Sequence, residues 1–434
     1  MRAAEQAEVV DLAHDGRGVA RLGGKTVFVA GALPGERVLV RRTRLHARYD
    51  EALLLEVELP AASRVAPLCR HYGRCGGCAL QHLAPAAQVA AKARELMSQL
   101  ERIAKLRPER ELEPLAGRPY GYRRRARLGV RLLPKTGRAI VGFRERTSPR
   151  LADVRDCPVL APPAGALCEA LGELVGLLSI AARLPQIEVA IGERATALVL
   201  RVLAPPSAAD LERLRAFGAA HGVEFWLQPG GAETAAPLDP PGAPLDYSLP
   251  EFGVTLEFGP LDFVQVNAEL NRLMVGRAVG LLDPGPGDSV LDLYCGLGNF
   301  TLPLARRAGR VLGVEGEGAL VARARRNAER NGIGNARFAV ADLGAPLGAE
   351  PWARERFDLV LLDPPRAGAL EVLPLIAASG TRRVVYISCH PASLARDAGS
   401  LVHQHGFRLV AAGAMDMFPH TAHVESLAVF EQGR

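Results

Sequence analysis

From residue 289 onward the chain repeats one unit: an apolar run of strand length, a short polar or glycine-bearing break, then a helical stretch. The runs are SVLDLYC, RVLGVE, ARFAVAD, FDLVLLD and RRVVYISC. Apolar runs without alternation belong to strands covered on both faces, and strands that alternate with helices pair in parallel. The pattern predicts a doubly wound, Rossmann-like α/β sheet, with FRLVAAGAMD and HVESLAVFE as a final antiparallel pair. Ligands of such sheets sit beyond the carboxyl ends of the strands. The informative residues are therefore Tyr294–Asn299, Glu315, Asp342, Asp363 and Ser388–Cys389.

With 434 residues the chain has room for two or three domains. Residues 7–59 alternate between apolar and polar, with Gly and Pro signals every ten or so positions. That reads as a small β-barrel of the kind that binds oligonucleotides on an open face. Residues 64–82, RVAPLCRHYGRCGGCALQH, form a Gly- and Cys-rich loop. A helix is expected over 85–106, with Val89, Leu96, Leu100 and Ile103 as its apolar face. Mixed α and β structure follows to about 260, interrupted by the Pro/Gly-rich loop QPGGAETAAPLDPPGAPLD. The expected domains are 1–60, a barrel; 61–262, an α+β central domain carrying the cysteine loop; and 263–434, the Rossmann-like domain.

Charge is distributed unevenly. Residues 1–160 hold 30 Lys+Arg against 17 Asp+Glu, while the remainder holds 23 against 30, within a net charge of +6. A basic half joined to a mildly acidic body fits a polyanion-binding module on a catalytic domain. All but four of the cations are Arg, which suits bidentate phosphate contacts and also follows from GC-rich coding. No stretch approaches the roughly 18 uncharged apolar residues of a membrane span. The opening MRAAEQAEVVDLAHD carries acids where a signal peptide needs an apolar run, so a cytoplasmic protein is expected.

The strand ends carry the chemistry. Gly296 and Gly298 in DLYCGLGNF allow a sharp turn and close approach to a ligand. Glu315 can bind a ribose diol and Asp342 an adenine edge, a set that fits S-adenosylmethionine better than NAD. DPPRAG has Arg366 where amino-methyltransferases carry a base-stacking aromatic, which argues against N-methylation. Cys389 at a strand end can be a nucleophile, and Glu425 at the start of the last strand a tuned base. One thiolate and one carboxylate around an extruded pyrimidine, beside a methyl donor, are what C5 methylation through a C6 adduct requires. Asp363 and Arg366 would line that pocket. Asp416, His420 and His423 lie in a turn, so they read poorly as metal ligands.

Cys69, Cys75 and Cys78 are spaced C-x5-C-x2-C, with Cys157 or Cys168 as a fourth thiol. Four thiolates can hold zinc or a [4Fe–4S] cluster, and the long first step modestly favours the cluster.

DLYCGLGNF, LLDPPRAG, YISCHPASLARD and DMFPHTAHVES together resemble the RNA uracil-5 methyltransferases. SRVAPLCRHYGRCGGCALQHL resembles the iron–sulfur loop of the branch acting on 23S rRNA, and the first fifty-odd residues resemble a TRAM domain. The resemblance implies a monomeric enzyme forming 5-methyluridine in 23S rRNA. It implies Cys389 as nucleophile, Glu425 as base, and Cys69, Cys75, Cys78 and Cys157 as ligands of a [4Fe–4S] cluster. It implies S-adenosylmethionine contacts from Gln265, Tyr294, Asn299, Glu315, Asp342 and Asp363. Part of 85–120 should pack on the catalytic domain. His390 departs from the family's Asn after the nucleophile, and the insert near 229–245 looks particular to this chain. The rivals are the same chemistry on tRNA, a non-catalytic RNA-binding iron–sulfur protein, and DNA cytosine methylation; Ser388 in place of that last class's Pro weakens it.

Overall fold

A computed structural model describes residues 3–345, 347 and 350–433. Strands β1 (Glu5–Leu12), β2 (Gly18–Leu22), β3 (Lys25–Val29), β4 (Arg37–Leu45) and β5 (Tyr49–Leu59) close into a barrel in the order β1-β2-β3-β5-β4. Period-2 alternation points Val27, Val29, Val38 and Val40 inward, all fully buried. Buried Asp50 is matched by Lys25 (2.6 Å) and Arg42 (3.0 Å). Buried Glu36 ties the barrel to the cysteine loop through Arg64 (2.5 Å).

Helix α1 (Pro85–Gln99) begins with Pro at its first turn, where the missing N–H costs nothing. It continues into one π-type turn, Leu100–Ala104. Leu96 and Leu100 are fully buried as expected, but Ile103 is 46% exposed and Ala104 faces inward instead. The π turn accommodates an extra residue, which rotates the apolar register. On the preceding turns the inward positions are Gln88 and Lys92 rather than Val89. Leu96, Leu100 and Ala104 join the core on one face of the C-terminal sheet. The next strand, β6 (Arg110–Glu111), adds in parallel to that sheet's edge.

The central sheet takes β7 (Arg125–Leu132), β8 (Ala139–Gly142), β9 (Gln186–Ile191), β10 (Thr196–Arg201), β11 (Glu224–Gln228) and β12 (Ala236–Pro237) in the order β12-β11-β10-β9-β7-β8. It is covered by α2 (Cys168–Gly176) and α3 (Ala208–His221), whose Ser207 and Asp210 form a reciprocal capping box. The Pro/Gly-rich stretch is not wholly loop: Ala236 and Pro237 pair with β11 as an edge strand, the place where Pro is tolerated.

A hairpin of β13 (Asp246–Leu249) and β14 (Val254–Glu257) packs with α4 (Ala268–Leu282) under the C-terminal sheet. That sheet contains β15 (Ser289–Leu293), β16 (Arg310–Glu315), β17 (Ala336–Val340), β18 (Leu359–Leu362), β19 (Arg383–Ser388), β20 (Phe407–Met415) and β21 (Glu425–Gln432). Its order is β17-β16-β15-β18-β19-β21-β20-β6, with the first five strands parallel and β21 antiparallel to both neighbours. Helices α4, α5 (Thr301–Ala305) and α6 (Gly318–Arg330) cover one face. Helices α1, α7 (Leu373–Ala378) and α8 (Pro391–His403) cover the other. The doubly wound sheet and its final antiparallel pair are as the apolar runs predict. Among the described residues no helix is long and apolar enough to cross a membrane.

Candidate active site

Strand register brings the two catalytic candidates together. β19 and β21 pair antiparallel with Ser388 opposite Ser426, and the Ser426 hydroxyl donates to the Ser388 carbonyl (3.1 Å). Cys389 directly follows Ser388 and Glu425 directly precedes Ser426, so both lie at the same end of this ladder, where the Glu425 charge bears on the Cys389 thiol. Asp363, immediately after β18, completes the group. Burial is the chief cause that pushes the Cys389 thiol up to about 11, with the charges of Glu425 and Asp363 adding to it and Arg366 opposing. Burial, then Asp363, raises Glu425 to about 8, and Lys92 opposes. Asp363 is raised by burial to about 7, opposed by Gln265, whose Nε2 donates to its Oδ2 (3.2 Å).

The loop after β15 makes the donor-side turn. Tyr294 sits at φ 63°, a left-handed conformation unusual for an aromatic residue, followed by Gly296 at φ 55° and Gly298 at φ 98°. Glu315, at the end of β16, accepts from the Gly296 N–H (3.1 Å) and the Glu317 N–H (3.0 Å). Asp342 is exposed beyond β17 and accepts from the Gly344 N–H (2.9 Å). Asn299 exchanges two hydrogen bonds with Asn271 (2.9 and 3.0 Å) and accepts a third from Tyr247 (3.0 Å). Asp292 is fully buried and raised to about 8 by burial. Thr301 bonds one of its oxygens (2.5 Å), and the other has no hydrogen-bond partner among the described residues.

The loop between β20 and β21, which leads into Glu425, is held from three sides. Lys92 of α1 reaches Asp416 (2.5 Å) and the Phe418 carbonyl (2.9 Å), both side chains almost wholly buried. Gln88 accepts from the His420 N–H (2.7 Å) and bonds His420 Nδ1 (3.1 Å). The His420 carbonyl accepts from the Ala79 and Leu80 N–H groups of the cysteine loop (2.8 and 2.9 Å). Tyr120 lies against the His420 ring (4.4 Å), and Tyr122 donates to the Pro419 carbonyl (3.0 Å). Asp416 and His420 thus serve the fold of this loop, which explains the polar inward face of α1.

Cys69, Cys75, Cys78 and Cys157 line one cleft of about 760 Å³ together with Cys389, Arg366, His390 and His423. His14 and Asp15 of the β1–β2 loop reach the same cleft. All seven cysteines are free thiols. Burial, opposed by the Gln81 hydrogen bond and aided by the charges of Cys157, Cys75 and Cys69, raises Cys78 to about 12. Cys168 is 1% exposed and packs with Ala152 and Val154 in a cluster that Cys75 and Cys157 also join, but it is not part of the cleft lining. Among the described residues no three His, Cys, Asp or Glu side chains close around a single metal ion.

Residues 255–432 match the family described as tRNA (Uracil-5-)-methyltransferase, and residues 5–55 match the TRAM domain. The 23S rRNA (uracil(1939)-C(5))-methyltransferase RlmD of Alkalilimnicola ehrlichii is 56% identical over 98% of this chain and 96% of its own length. Its counterpart in Methylococcus capsulatus is 52% identical over 98% and 96%. The chain belongs to the RlmD family. The Pyrococcus abyssi tRNA (uracil-54, C5)-methyltransferase, solved with S-adenosyl-L-homocysteine, shares the fold with a TM-score of 0.75 at 24% identity, over 98% of this chain and 99% of that one.

Within this RlmD-family chain His390 has a structural explanation. It is the N-cap of α8, its Nδ1 accepting from the Ser393 N–H (3.3 Å) ahead of Pro391. Asn is the commoner cap, and the imidazole supplies the same acceptor. The basic run 123–125 is largely spoken for: Arg123 lies over the Phe418 ring (6.0 Å), and Arg125 donates to the Pro260 carbonyl. Sequence reasoning also missed Gln88, Lys92, Tyr247, Asn271 and Asp292. Only Asp292 had a local signal, as an acid inside an apolar strand.

Proposed function

We propose that this chain transfers a methyl group to C5 of one uridine of 23S rRNA, the nucleotide its relatives' name gives as 1939, working as a cytoplasmic monomer. The observation that supports the reading is the β19–β21 pairing, which ends at Ser388 opposite Ser426 and so leaves Cys389 and Glu425 at one end of the sheet, within electrostatic reach of each other and of Asp363.

C5 of uracil is too weak a nucleophile to take a methyl group directly. The Cys389 thiolate adds to C6, a S–C6 bond forms, and the C5=C6 electrons move into an enolate. C5 then takes the methyl group. Glu425 removes the C5 proton, the S–C6 bond breaks, and the ring double bond returns with the thiolate free. S-adenosylmethionine supplies the electrophilic methyl and leaves as the thioether. The donor would be held by Gln265, Tyr294, Asn299, Glu315, Asp342 and Asp363, and the partnerless oxygen of Asp292 fits a polar ligand in that turn. Arg366 favours the thiolate, while Asp363 and burial keep Glu425 able to hold a proton near neutrality.

Cys69, Cys75, Cys78 and Cys157 are the residues that would hold a [4Fe–4S] cluster. Their shared cleft lining suits the group, and Cys168, although it packs beside Cys75 and Cys157, is absent from that lining. The cluster would cross-link the loop that bonds the His420 carbonyl; methyl transfer moves no electrons. The test is nucleoside analysis after incubating anaerobically purified protein and S-adenosylmethionine with unmodified 23S rRNA and, separately, tRNA. 5-Methyluridine is expected in the rRNA alone; its appearance only in tRNA refutes the substrate, and its absence from both refutes the activity.

A further inference from the structure

A second cavity, open and of about 840 Å³, lies along β7, β8 and the loop that follows. Arg127, Arg131, Arg144, Arg146 and Arg150 line it. The one acid in its lining, Glu145, is bonded to Arg74 (2.9 Å) and Ser148 (2.6 Å). Arg127 pairs with Glu188 (3.0 Å), and Arg146 lies over the Tyr72 ring (5.2 Å) and donates to the Cys78 carbonyl. Arg131, Arg144 and Arg150 are exposed and form no salt bridge among the described residues. Backbone pairing fixes where they stand: Arg131 is opposite Ile140 in the β7–β8 hairpin, and Arg144 bridges to Leu151, next to Arg150. Gly129 and Gly142 make that packing possible. A Cβ on either would run into Leu151 (2.6 Å) or the Ala152 carbonyl (2.7 Å).

This groove adjoins the cleft that holds Cys389. Gly76, Gly77 and Phe143 line both, so a chain leaving the mouth beside Cys389 can cross the cysteine loop and enter the arginine groove. Gathering unpaired guanidinium groups on one wall costs self-repulsion, which an anion relieves. Arginine forks match phosphate oxygens in pairs. We infer that this groove carries the sugar–phosphate backbone of the single-stranded RNA flanking the uridine held in the cleft. The inference rests on the RNA-methylating reading above and names where the substrate's flank lies. Adjacency to the cleft favours RNA over an acidic protein segment.

The test uses the full-length, anaerobically purified protein and an RNA hairpin from 23S rRNA that includes the target uridine, with binding followed across a salt series. Each phosphate contact to a single strand contributes about 0.7 to the slope of log K against log salt. The Arg131→Gln/Arg144→Gln/Arg150→Gln variant should therefore lose about 2 from that slope and bind ~50-fold more weakly at about 0.15 M salt. An all-Lys version of the three should keep the slope, because it keeps the charge. S-adenosylmethionine binding by calorimetry reports that the Gln variant is folded. If that variant holds donor and binds RNA with the wild-type slope, while the wild type methylates the hairpin, the groove assignment is wrong and the enzymatic reading stands. If the wild type neither binds nor methylates the RNA, both fall. Loss of binding to an acidic peptide with RNA binding intact would give the groove to a protein partner instead.

Discussion

Lys92 is the residue whose removal separates the architecture of the site from its chemistry. Its ammonium meets Asp416 at 2.5 Å, and the two side chains are 4% and 6% exposed, so solvent screening does little to weaken the pair. Lys92→Met keeps most of the apolar stem and leaves Asp416 with an uncompensated charge and the Phe418 carbonyl without its donor. Removing one partner of a buried pair costs about 3–5 kcal/mol. For a domain of this size that lowers Tm by about 2–4 °C per kcal/mol, or about 6–20 °C in all. The pair as a whole is worth far less than either half alone, because desolvation offsets its attraction. Adding Asp416→Leu to Lys92→Met should therefore restore most of the loss. Urea unfolding of the wild type, the single variant and the double variant measures both quantities. A single variant within about 1 kcal/mol of wild type would show that the pair carries no structural weight. A double variant no more stable than the single one would show that the loss does not come from the uncompensated Asp416 charge.

The same substitution has a kinetic signature. Lys92 is one of the charges that favours the Glu425 carboxylate. A raised carboxyl pKa means the proton is held to higher pH, so a step needing the free base grows as pH rises through about 8. Without Lys92 that limb should move to still higher pH.

Replacing Cys389 with Ala should abolish methyl transfer while calorimetry shows S-adenosylmethionine affinity largely unchanged; lost donor affinity would place the cysteine in the wrong role. Glu425→Gln should slow turnover by about 10²–10⁴-fold, the usual worth of a general base, and leave a covalent protein–RNA species on a denaturing gel. Free turnover would remove Glu425 from the mechanism. The same variant deletes a negative neighbour of Cys389, so the pH midpoint of its alkylation should fall from about 11, and an unchanged midpoint would mean the two groups do not meet.

Which parts of this site are visible in the sequence follows from the range of the interactions that place them. Tyr294, Glu315, Asp342, Asp363 and Cys389 each follow an apolar strand, and parallel sheets put ligands at those ends, so a local pattern suffices. Gln88 and Lys92 have no such pattern. They sit on what reads as an ordinary amphipathic helix, and the groups that justify their burial, His420 and Asp416, lie 332 and 324 residues away. Ile103 misled for a different reason: the π turn at Leu100–Ala104 is set by packing against α8, which the spacing of apolar residues does not encode.

That inward polar face also bears on why α1 belongs to the catalytic sheet at all. An apolar α1 would pack on the same core through Leu96 and Leu100, each worth about 1.5–3 kcal/mol on burial. Apolar packing tolerates sliding, however, and on the proposed mechanism the loop that leads into Glu425 cannot. The bond that Gln88 accepts from the His420 N–H and the one that Lys92 donates to the Phe418 carbonyl are directional, and a shift of one residue would leave each buried polar group unmatched at about 1–3 kcal/mol. Because the His420 carbonyl also accepts from Ala79 and Leu80, the cysteine loop and the catalytic loop share one fixed point. Under the proposed reading, a group that orders the four thiols would thereby also fix the loop that leads into Glu425, a structural role that needs no redox step.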